Sequence, residues 1–188
     1  MSENLLDDDF NKQPKVVRLA SFGDRVLASV IDTLIFVPFI FLTVYNWTDL
    51  KIYYLDLLLN LAIIFYKPLL EWNYGATIGK MLAKIKVVGT NLQNISLDQS
   101  FMRFSIYSIG YGISLLASNA LFQDPAFQEA TTFVDVGALQ QDSPFNEFSQ
   151  IASFTTLVSI MFVAFDMKKQ ALHDKLAGTL VIKVNPEN

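Results

Sequence analysis

The chain has 188 residues, 52% of them hydrophobic and 17% charged, with a formal net charge of −4 at pH 7. With a mean hydropathy of +0.36, it is too apolar and too poor in charge for an ordinary soluble domain. It has no cysteine and one histidine, which excludes disulfides, thiolate metal centres and multi-histidine metal sites, and its acidic balance with scattered basic residues excludes a nucleic-acid partner.

Residues 1–17 read as a polar, disordered cytoplasmic head. The acidic run Asp7 to Asp9 stands where a secretory leader would carry basic residues, so no leader is predicted. From residue 18 to 184 the chain reads as one membrane domain, with 185–188 as a tail. A helix needs about 20 mostly apolar residues to cross a hydrocarbon core of ~30 Å. Four segments meet this, at residues 26–47, 52–70, 104–122 and 148–167.

Charge placement orients the spans. Lys12, Lys15, Arg18 and Arg25 precede the first. Lys80, Lys84, Lys86 and Arg103 lie between the second and third, and Lys168, Lys169, Lys175 and Lys183 follow the fourth. The segment 123–147 has no Lys or Arg but carries Asp124, Glu129, Asp135, Asp142 and Glu147. Positive residues stay inside, which predicts cytoplasmic termini, a cytoplasmic middle segment and an external acidic loop at 123–147. The fold expected is an all-α membrane protein, a four-helix transmembrane bundle with a small cytoplasmic β pairing. Its principal partner is the lipid bilayer. A homo-oligomer and an external protein partner at the acidic loop are also expected.

The middle segment holds "GATIGK", which differs from a phosphate loop: three residues rather than four separate its glycines, and Met81 follows Lys80. "IGKMLAKIK" can form an amphipathic turn at the membrane surface, with Lys80 and Lys84 on one face. "KIKVVG" and the later "TLVIKV" are rich in β-branched residues and are predicted to pair. In the tail, "LAGT" reads as a helix ending at Gly178. The lone His173 beside Asp174 is too little for a metal-dependent hydrolase.

The charges within the spans are the candidate site. Arg25, Ser29 and Asp32 are spaced i, i+4, i+7 and share a helix face. An ionised aspartate at mid-helix costs on the order of 2.5–3.5 kcal/mol to insert, so Asp32 must meet partners, water or a cation, or carry a proton. Two readings stand side by side. Asp32 locks the bundle by accepting hydrogen bonds, with Asn60, Lys67 and Tyr107 at matching depth, or it alternates between proton and cation. Lys67 and Glu71, at i, i+4, are expected to form a local ion pair. Asp56 is expected to reach the external surface, and Arg103 and Asp166 to anchor inner helix ends. Arg25 and Asp174 both fall at the cytoplasmic face, where an ion pair between them would fix the tail against the first helix. Asp24 and Glu71 are other acceptors for Arg25, and Asp174 could instead cap a surface turn.

Three blocks stand in order: "DRVLASVIDTLI", "YGATIGKMLAKIKVVG" with "ISLDQSFMRF" behind it, and "KKQALHDKLAGTLVIKV". Together they resemble the RDD family of small bacterial membrane proteins, over residues 19–184. The resemblance places the family arginine on Arg25, its first aspartate on Asp32 and its second on Asp174. Family members often show arginine where Met81 stands. The resemblance implies a multi-pass protein of the bacterial inner membrane, for which transport, including cation/proton exchange, has been suggested. The function expected is a small transporter or exchanger built on Asp32, Arg25 and Asp174, supported by Ser29, Lys67 and Glu71. The alternative is a non-transporting scaffold, assembly or regulatory module. No nucleophile–base or paired-carboxylate set suits catalysis, so neither enzymatic activity nor a cofactor is expected.

Overall fold

Ser21 starts the first long helix in the computed structural model, which describes residues 17–184. The expected head, apart from Val17, and the tail 185–188 lie outside the described residues. Ser21 Oγ accepts from Asp24 N at 3.2 Å, and the Asp24 carboxylate accepts from Ser21 N at 2.8 Å. This reciprocal pair satisfies donors that a helix start leaves open. Helix α1, Phe22–Tyr45, continues into a π-helical turn, Asn46–Leu50. Buried Asn46 closes the turn. Its amide donates to Ile52 O at 3.1 Å, and its Oδ1 accepts from Ile52 N at 3.0 Å.

Helix α2, Tyr53–Tyr74, returns and stops at Gly75, whose φ of +72° an L side chain rarely adopts. The short α3, Ile78–Leu82, and strand β1, Ile85–Gly89, follow. A second capping box, Ser96 with Gln99, opens α4, Leu97–Gln123. Next come α5, Pro125–Glu129, α6, Phe133–Gln141, and the long α7, Asn146–Phe165. Helix α8, Leu172–Leu176, and strand β2, Thr179–Lys183, complete the order. Gly178, with φ +60°, makes the turn between them, as its place in "LAGT" predicts.

Among the described residues three helices are long and apolar enough to cross a membrane: Phe22–Leu50, Tyr53–Tyr74 and Asn146–Phe165. Their apolar side chains point outward. Leu34 is 64% exposed, Phe41 71% and Phe154 68%, the reverse of a soluble core and the arrangement a lipid solvent selects. Helix α4, at 27 residues, is long enough but not among them. Its serines, tyrosines and glycines dilute the apolar run expected at 104–122. The expected spans 26–47, 52–70 and 148–167 differ from the helices by a few residues at each end, because capping groups and turns rather than apolarity set helix limits.

Strands β1 and β2 pair antiparallel, Val87 opposite Val181. The expected β pairing is therefore present. The segment before α1 joins on the other edge of β2: Leu19 bridges Ile182, and Ala20 N donates to Val181 O at 2.9 Å. Ala20, Ala28, Ile85, Val87, Ile95 and Val181 form a buried cluster beneath this sheet.

The far end of the bundle departs from the expected acidic loop. Within 123–147 the chain forms α5 and α6, and Leu121, Phe127, Ala130 and Val136 make a second small core. Lys51 Nζ donates to the carbonyls of Phe127, Gln128 and Ala130 at 2.7, 2.7 and 2.6 Å. Asp56 does not reach the surface. It is fully buried and hydrogen-bonded by Trp47, Asn60 and Ser118, because these neutral donors replace the water that the surface would have supplied.

Candidate functional site

Helix α4 carries Arg103 into the middle of the sheet end of the bundle, where the residue is 1% exposed. Its guanidinium joins two carboxylates. Nε donates to Glu71 Oε2 at 2.8 Å, and Nη1 donates to Asp174 Oδ1 and to Thr179 Oγ1, the latter at 2.5 Å. A planar fork suits this bridging, and a lysine could not reproduce it. Glu71 Oε1 takes a second cation, Lys80 Nζ from α3. Asp174 Oδ2 accepts from Arg25 Nη1 at 2.6 Å and from Ala171 N at 3.0 Å. Arg25 Nη2 donates to Lys169 O at 2.6 Å. Residues from α1, α2, α3, α4, α8 and β2 thus share one charged network. Two of its donors, Arg25 Nε and Arg103 Nη2, have no hydrogen-bond partner among the described residues.

Asp32 forms a second, adjoining site. It accepts from Tyr66 OH at 2.7 Å, Thr77 Oγ1 at 2.6 Å and Gly79 N at 2.7 Å. The partners suggested by depth, Asn60, Lys67 and Tyr107, are not the ones it has. The "GATIGK" segment folds back on α1 and supplies two of the three donors, an approach that helix periodicity does not encode. Thr77 also caps α3 by accepting from Lys80 N at 3.3 Å. Ser29 is exposed, and its carbonyl accepts from Thr33 Oγ1 at 2.9 Å. It does not link Arg25 to Asp32.

Lys67 and Glu71 form no ion pair among the described residues. Glu71 faces Arg103 and Lys80 instead, and Lys67 Nζ sits 4.0 Å from the centre of the Tyr107 ring, a cation–π contact. The Arg25–Asp174 pair expected from the sequence is formed, with Asp174 fully buried. Arg103 is the functional residue that sequence reasoning misplaced. Read as an anchor at a helix end, it is the hub. The available signal was an arginine directly after "SFM", immediately before the apolar segment 104–122.

His173 lies beneath the network. Its Nδ1 is 3.0 Å from Tyr107 OH and 3.2 Å from Ser159 Oγ, and its Nε2 is 3.4 Å from Asp174 Oδ1. The tautomer with its proton on Nε2 fits these neighbours, since both hydroxyls can then donate to Nδ1. Burial holds its pKa well below the usual 6.5, against the pull of Asp174. Asp174 moves down too. Burial opposes this, but Arg103, His173 and Arg25 together outweigh it. Burial pulls Lys80 down to about 8 against the attraction of Glu71.

The His173 shift makes a prediction. Below about pH 6.5 the unfolded chain binds a proton on its single histidine that the folded chain refuses, so stability falls as pH drops through that value, by at most ~1.4 kcal/mol per unit. Thermal unfolding in detergent from pH 7.5 to 5 is expected to show this decline, and His173→Gln is expected to flatten it. An equal slope in the variant would remove the histidine from the account.

No group of three or more His, Cys, Asp or Glu side chains capable of holding a metal ion occurs among the described residues. The model of the RDD family matches residues 19–178, which takes in Arg25, Asp32, the "GATIGK" turn, Arg103 and Asp174. The chain belongs to the RDD family. No curated protein and no solved structure matches it. In this RDD protein Arg25 and Asp174 meet directly, while Asp32 holds the turn that presents Lys80 to the same network.

Proposed function

We propose that this RDD protein is a non-enzymatic, non-transporting module of the bacterial inner membrane: a scaffold, assembly or regulatory protein. Four spans, α4 included, cross the bilayer. The charged network and the sheet lie on the cytoplasmic side, and α5 and α6 lie outside. The observation that carries this reading is that every carboxylate of the site is occupied. Asp32 accepts from three donors, Glu71 from two cations, and Asp174 from two arginines and an amide. Such satisfaction suits a clamp holding cytoplasmic segments to a bundle better than a site that must release its partners each cycle. The acidic α5–α6 excursion is the surface offered to a protein partner, and the outward apolar faces admit a homo-oligomer.

A small transporter or cation/proton exchanger is the second reading. One observation favours it: Asp32 is held by neutral donors, and among the described residues no Lys or Arg forms an ion pair with it. Such a carboxylate can exchange a proton for a cation without first breaking a salt bridge.

Proteoliposomes loaded with a pH dye and exposed in turn to Na⁺, K⁺ and Ca²⁺ separate the two. The clamp predicts no cation-dependent pH change beyond protein-free vesicles. A change that disappears in Asp32→Asn would replace it with the exchanger. For the orientation, a cytoplasm-active reporter fused after Thr90 is expected to be active and one after Gly137 silent; activity at Gly137 would end the four-span arrangement.

A further inference from the structure

At the end of the bundle opposite the charged network lies a cavity of about 480 Å³, within the range of small-molecule sites. Its walls come from the π-helical turn, α2, α4, the end of α6, the start of α7 and the connection between these last two. Among the lining residues are Trp47, Asn60, Ser118, Asp124, Asp142 and Phe145. Neither the sheet nor the network around Arg103 contributes to it.

The wall is chemically one-sided. Trp47 Nε1 donates to buried Asp56 at 2.8 Å, and Ser118 Oγ donates at 2.5 Å. The Asn60 amide donates both to the Asp56 carboxylate and to its main-chain carbonyl, each at 2.9 Å. The donors of three lining residues are therefore directed behind the wall, at Asp56. What Asn60 and Ser118 keep for the cavity is acceptor capacity: an amide oxygen and hydroxyl lone pairs. Two further carboxylates, Asp124 and Asp142, line the space, and among the described residues no Lys or Arg does. Among the described residues Asp56 forms no ion pair, because Lys51 directs its ammonium at three carbonyls instead. The remaining wall is uncharged: Phe145 and apolar side chains stand beside neutral polar ones, among them Ser114, Gln140 and Ser149.

We propose that this cavity binds a small organic ammonium ion. A donor-rich cationic head meets the acceptors of Asn60 and Ser118, the carboxylates of Asp124 and Asp142, and the field of Asp56. An apolar body packs on Trp47 and Phe145, whose rings also attract the cation. An anion would meet three carboxylates and no counter-charge. A neutral apolar molecule would bury acceptors without pairing them. The site is independent of whether the network at the other end acts as a clamp or as an exchanger.

Trp47 is one of two tryptophans, so Trp72→Phe leaves it as the only reporter. The full chain carrying that substitution, in detergent at pH 7, is titrated with benzylamine, phenethylamine and benzyl alcohol while Trp47 emission is followed. Saturable changes are expected with both ammonium ions. Benzyl alcohol, the neutral match to benzylamine, is expected to bind at least about tenfold more weakly. Asp142→Asn and Asp56→Asn should each weaken benzylamine several-fold, and Asp49→Asn, outside the cavity, should not. Equal binding of benzylamine and benzyl alcohol overturns the proposal. So does the absence of saturation with either ammonium ion, or unchanged affinity in Asp142→Asn. Should Asp56→Asn fail to fold, Asp142→Asn decides alone, since Asp142 is exposed and its loss leaves the core intact.

Discussion

Arg103→Met is expected to destabilise the folded protein by on the order of 3–5 kcal/mol. The substitution keeps the length and apolar stem of the side chain but removes the charge between Glu71 and Asp174, which are 1% and 0% exposed. Glu71 would keep Lys80, and Asp174 would keep Arg25. Glu71 Oε2 would lose its donor, Asp174 Oδ1 would keep only His173 Nε2 at 3.4 Å, and Thr179 Oγ1 would no longer accept from the guanidinium. The penalty comes from burying charge left uncompensated rather than from the net worth of an ion pair, which in a buried setting is small. Arg103→Lys is expected to recover little of it, since one ammonium cannot span both carboxylates as the fork does. Thermal unfolding in detergent is the measurement. In a chain of this size the loss corresponds to a Tm lower by at least roughly 6 °C. An Arg103→Met protein melting with the wild type would show that the network contributes nothing to holding the fold.

Gly79→Ala is expected to be as damaging, for a steric reason. A Cβ on Gly79 would stand 2.2 Å from the Ala28 carbonyl oxygen and 2.7 Å from the Asp32 carboxyl carbon. One of these is backbone, and the other is held by three donors, so neither can step aside. Helix α3 would have to lift from α1, losing the Gly79 N–Asp32 bond and straining the Thr77 bond beside it. A buried acceptor deprived of donors costs about 1–3 kcal/mol each. The displacement would also draw Lys80 away from Glu71. Gly112→Ala is the control, with open space around its Cβ, and should melt with the wild type. Heat denaturation together with limited proteolysis of residues 75–90 tests this. A Gly79→Ala protein as stable and as resistant as Gly112→Ala would contradict the close packing of α3 on α1.

The sequence made the helices, the strand pairing and the Arg25–Asp174 contact legible, because each rests on local pattern or on both partners lying at one membrane face. The apolar runs of α1, α2 and α7 are long enough to be read directly. The β-branched "KIKVVG" and "TLVIKV" had no other plausible partner in a helical chain. What the sequence concealed was tertiary. The i, i+4 spacing of Lys67 and Glu71 favours a local pair, yet Arg103 and Lys80 arrive from other elements and take Glu71. Asp56 lies near a helix start, where depth alone suggests an escape to water, but Trp47, Asn60 and Ser118 enclose it. The spacing of the glycines in "GATIGK" ruled out a phosphate loop without saying what else they do. The second of them serves instead to let one helix rest against another.

The register of the small sheet also dictates an order of synthesis. Val87 pairs with Val181, and Arg103 and Arg25 wait for Asp174. Each of these early residues leaves the ribosome long before its partner exists, with the whole of α7 still to be made. While translation continues, β1 has an open edge, and two arginines lack the carboxylate they share. Only when α8 and β2 have emerged can the edge close and the charges meet. A nascent chain stopped before residue 174 would lack both the strand that pairs with β1 and the carboxylate that Arg25 and Arg103 share.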